Sequence, residues 1–144
     1  MKRIFTLTLC FLLLFTNISF ANRNDITEAI KDIELVNNRM DIMIKKITGD
    51  DPLDTEEFKK DIKFCESILG ERLKKVADLY SSESNLEIRR TYSAVLYTAS
   101  LYELSLSSML VYVTDDSKTN YFIDTCSTYQ QGITSLNHLK SKYY

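Results

Sequence analysis

The chain has 144 residues, 18 basic and 20 acidic, with three Gly, one Pro, one His, three Cys and no Trp. A composition 44% hydrophobic and 26% charged is that of one packed domain and not of a disordered chain. So few glycines leave no GxGxxG or Walker loop, a single His excludes multi-His metal sites, and scarce Gly and Pro argue against an all-β fold.

Residues 1–21 read as a cleaved secretory signal peptide. Lys2 and Arg3 precede a mainly apolar run from Ile4 to Phe15, and Ser19-Phe20-Ala21 places small residues at the cleavage positions before Asn22. The apolar run is short of the roughly 20 residues that span a bilayer, so no stable membrane insertion is expected after cleavage. Cys10 lies inside that run behind Leu9, which is not small, and is not a lipoprotein cysteine. Without Lys2 and Arg3 the 18 basic residues become 16 against 20 acidic ones, a net charge of −4. The basic pairs each have an acid close by. A nucleic-acid partner, which needs a clustered basic face, is therefore not expected.

Residues 22–144 divide into four helical stretches. The first is capped at Asp25, with Glu28 three positions on, and ends before Gly49-Asp50-Asp51-Pro52; its apolar seam is Ile26, Ala29, Ile33, Val36, Met40, Met43 and Ile47. The second starts at Asp54 with Glu57 and runs to about Tyr80, with seam Phe58, Ile62, Cys65, Leu69, Val76 and, beside Arg72, Leu73. Ser84-Asn85-Leu86-Glu87 reads as a capping box for the third, which runs to about Thr114 through Ile88, Tyr92, Val95, Ala99, Tyr102, Leu106, Met109 and Val113. After Asp115-Asp116-Ser117 the fourth continues close to Tyr144 through Phe122, Cys126, Tyr129, Ile133, Leu136 and Tyr143. Seams of this kind, joined by short connections, predict an all-α, up-down-up-down antiparallel four-helix bundle.

Cys65 and Cys126 fall on the seams of helices two and four, each about ten residues past its helix start. In an oxidising compartment their equal height predicts a disulfide. These helices are diagonal in a square bundle, so the bridge requires that diagonal to be the short one, with Gly70 and Gly132 permitting the approach; the alternative is two separate buried thiols.

Other chemistries are poorly provided for. His138 near the end of helix four, together with Met40 and Met43, resembles the layout of the four-helix b-type cytochromes only in architecture and in the C-terminal His. The first turn of helix one, where that family's Met sits, holds Ile26, Glu28 and Ala29. Ser135 precedes His138 by three, so no Glu-x-x-His motif exists for a di-iron site. The acidic run Asp50, Asp51, Asp54, Glu56, Glu57 is interrupted by Pro52 and Leu53 and reads as helix-capping acids, not a calcium loop. No serine stands in GxSxG or SxxK. No catalytic residue, metal or cofactor is expected.

Helix three is the anomaly. From Ala94 to Val113, 14 of 20 residues are apolar and only Glu103 is charged. A second stripe, Tyr97, Leu101, Leu104 and Val111, runs beside the core seam, with Ser93, Ser100 and Ser107 along the boundary. Three readings stand: a wide core face with tolerated surface Leu and Tyr, a face for a protein partner or for self-association, and a membrane span, which Glu103 and the serines discourage; the second is where function is sought. The whole reads as an exported, non-catalytic interaction protein of the periplasm or extracellular space, such as an adaptor, chaperone, inhibitor or immunity-type binder. The alternatives are a ligand or cofactor carrier using the bundle core and, behind it, a hydrolase with an unrecognised carboxylate site.

Overall fold

The structure, a computed structural model, describes the backbone of residues 2–50 and 52–143, with side chains from Arg23 onward. It holds four helices and, among the described residues, no strand: α1 (Lys2–Thr48), α2 (Thr55–Ser82), α3 (Leu86–Thr114) and α4 (Thr119–Tyr143). The expected cleavage site lies outside the residues whose side chains are described. The helix start expected at Asp25 is not a start, because α1 runs unbroken through it. Freed from capping, the Asp25 carboxylate takes the Lys75 ammonium of α2 at 2.9 Å.

The remaining ends follow local chemistry. Asp54 caps α2, its carboxylate accepting from the Glu56 and Glu57 amides at 3.1 and 3.0 Å. The cap of α3 is Asn85, not Ser84: the Asn85 side-chain oxygen accepts from the amides of Glu87 and Ile88. The reciprocal bond comes from upstream, with the Asn85 amide donating to Glu83 Oε1 at 2.8 Å instead of to Glu87.

The core is built from one stripe of each helix. On α2 the buried residues are Phe58, Ile62, Cys65, Leu69 and Val76, the seam expected from spacing. On α1, Ile30 joins the expected set. On α4 the buried line is Thr125, Tyr129, Gly132, Leu136 and Leu139, rotated from the expected one, with Phe122, Cys126 and Ile133 only half-buried. The rotation has a cause on α3, where Thr91, Thr98 and Ser105 are buried and meet α4 through hydroxyls. Thr91 Oγ1 lies 2.6 Å from the Tyr143 hydroxyl and Thr98 Oγ1 2.6 Å from Ser135 Oγ. Ser105 Oγ donates to the Thr125 carbonyl at 2.8 Å. Buried hydroxyls need partners, so these pairs fix which side of α4 faces α3.

Ion pairs between α1 and α2 run in opposite order along the two helices. Asp25, Asp32 and Glu57 of the α1–α2 pair meet Lys75, Arg72 and Lys46, while Glu34 of α1 meets Lys140 of α4. Across the bundle, α1 touches α3, whereas no Cα of α2 lies within 8 Å of one in α4. The short diagonal is therefore α1–α3, the opposite of the one a Cys65–Cys126 bridge requires. Both cysteines are free thiols and the expected disulfide is not formed. A bridge needs Cα atoms within about 7 Å. The two glycines do not bring α2 and α4 together either. Gly70 faces open space, and Gly132 makes room for the Tyr102 ring, which an added Cβ would meet at 3.1 Å.

Candidate functional site

Packing sorts the apolar surface of α3 into faces. Tyr92, Val95, Ala99, Tyr102, Leu106 and Met109 fill the core, and the hydroxyl line faces α4. Between Ser93 and Ser107 the residues left in water are Ser93, Tyr97, Ser100, Leu104 and Ser107; towards the ends of α3 Leu86, Glu87, Arg90 and Thr114 are exposed as well. The expected partner stripe is thus split. Tyr97 is 58% exposed and Leu104 55%, but Leu101 is 9% exposed and Val111 is half-buried. Leu101 lies three residues after Thr98 and four before Ser105, on the side of α3 that faces α4. The three serines expected at a boundary stand instead along the middle of the exposed face.

From Ser93 to Ser107 this face carries no charge, and Arg90, exposed one turn before Ser93, bounds it. The one acid within the apolar stretch, Glu103, is half-buried beside Glu66 of α2, and burial first, then that like charge, pushes its pKa above the ordinary carboxylate value. Alongside, α4 presents Ser127, Gln130, Gln131, Thr134, Ser135 and His138, which with Tyr97 line an open groove of ≈ 730 Å³. Of the 36 charged residues from 22 to 144, 26 precede Ser84 and ten follow it, so the α1–α2 half is much the more charged. The exposed apolar side chains of the first half are Leu35, Ile42 and Phe64, and the last two have ions nearby. The Arg39 guanidinium lies 5.6 Å over the Phe64 ring and 3.9 Å from Asp61. Lys45, one turn from Ile42, pairs with Asp41 at 2.6 Å. In the second half Leu86, Tyr97, Leu104 and Ile123 are each more than half exposed, and between Ser93 and Ser107 Tyr97 and Leu104 stand among serines.

The residues weighed for other chemistry are scattered. Met40 and Met43 are buried in the core whereas His138 is exposed on α4, so they do not form an axial pair. Asp54 is spent as a cap, and Glu57 pairs with Lys46 at 3.5 Å; Asp51 lies outside the described residues. Among the described residues no three His, Cys, Asp or Glu side chains cluster so as to hold a metal ion. Burial and, behind it, the Asp61 carboxylate push the Cys65 thiol up to about 11, the wrong direction for a nucleophile; burial also raises Cys126. Among the described residues, α3 is the helix long and apolar enough to cross a membrane by length and composition, and half of its most apolar window is buried inside the bundle.

Sequence reasoning missed the hydroxyl line of Thr91, Thr98 and Ser105, although its seven-residue spacing was there to be read. Counting only apolar residues as core hid it. No family model matches the chain, no curated protein matches it, and no solved structure matches it.

Proposed function

We propose that the chain is an exported, non-catalytic helical interaction protein of the periplasm or extracellular space. Residues 1–21 are its signal peptide and residues 22–144 an up-down-up-down antiparallel bundle; the outer face of α3 meets a protein partner. The observation that carries the reading is the uncharged strip Ser93–Tyr97–Ser100–Leu104–Ser107 on a chain otherwise rich in exposed ions. Interface centres are depleted of charge and enriched in Tyr, and burying the exposed apolar surface of Tyr97 and Leu104 against a partner is favourable because it removes that surface from water. The basic n-region, apolar run and small-residue site of residues 1–21 support export. The opposite order of the ion pairs along α1 and α2 supports the topology.

The test is site-specific photocrosslinking in the producing cell. A photoreactive residue at Tyr97 or Leu104 should give discrete protein adducts, and one at exposed Lys74 of α2 should not. The intact mass of the exported protein should begin at Asn22. Equal labelling from both faces, or a retained N-terminus, overturns the reading.

A further inference from the structure

We draw no further inference here: the strongest candidate, the open groove between α3 and α4 lined by Tyr97, Gln130, Gln131 and His138, is built of exposed side chains, and nothing in the structure shows what covers it.

Discussion

The Tyr102 hydroxyl of α3 donates to Asn37 Oδ1 of α1 at 2.9 Å, spanning the diagonal of the bundle. Tyr129 of α4 joins from the side, its hydroxyl donating to the Asn37 carbonyl at 3.2 Å and its ring standing edge-on to that of Tyr102 at 6.0 Å. One asparagine therefore holds three helices in register. Burial raises both phenol pKa values, Tyr129 to about 12, so both remain protonated donors through the physiological range. Asn37→Leu leaves the buried Tyr102 hydroxyl unpaired and should cost roughly 1–3 kcal/mol. Tyr102→Phe leaves only the half-buried, water-accessible Asn37 and should cost about 1 kcal/mol. Urea denaturation of both variants checks the order.

Two glycines separate a propensity effect from a packing effect. Alanine at Gly70 meets nothing within 4 Å, and Gly70→Ala should stabilise by up to about 1 kcal/mol through helix propensity. Alanine at Gly132 runs into the Tyr102 ring at 3.1 Å, and the ring is held by Asn37. Gly132→Ala should destabilise by roughly 1–3 kcal/mol despite the same propensity gain. Thermal melts of opposite sign are the expected result.

The thiols give a third test. Cys65 and Cys126 should both titrate with a disulfide reagent after denaturation without reductant, and Cys65 should resist alkylation in the folded protein because burial holds its thiol protonated. Cys65→Ala should cost about 1–2 kcal/mol for the lost buried sulfur, equally with and without reductant. A loss that disappears in reductant would mean that a bridge had formed.

Glu103 gives the sign of one pH dependence. Its folded pKa is raised, so the fold favours the protonated acid. The associated stability is present below the ordinary carboxyl value, about 4.3, and is lost as pH rises through the folded value. Glu103→Gln, neutral throughout, should therefore raise the melting temperature at pH 7 and lose that advantage at low pH. Paired melts at the two pH values check it.

The parts of the fold legible in the sequence are those where burial is apolar. Phe58, Ile62, Cys65, Leu69 and Val76 recur at helical spacing and are all inside. The α4 seam was misread because Thr125 and Gly132 occupy buried positions that hydropathy assigns to water. Chain counting placed Cys65 and Cys126 at one height but carries no information about which diagonal is short. That is settled by Tyr102, Gly132 and Asn37, three residues on three helices whose meeting no local pattern encodes. For the candidate site, the uncharged character of α3 was plain. Its division between core and water was not, because Leu101 and Leu104 differ only in the side of α3 they occupy.

The partners of α1 on α3 and α4 lie far along the chain. Asn37 is answered by residues 65 and 92 positions later, and Glu34 by Lys140, 106 positions later. Loops of this length close slowly, and the contacts that reward closure arrive only once α4 exists. The first helix made by the ribosome can meet α2 early, through Asp25–Lys75, Asp32–Arg72 and Lys46–Glu57, but its partners on α3 and α4 arrive only when synthesis is nearly finished. For a chain proposed to cross a membrane behind its N-terminus, this late closure keeps the polypeptide threadable during passage and defers folding to the far side.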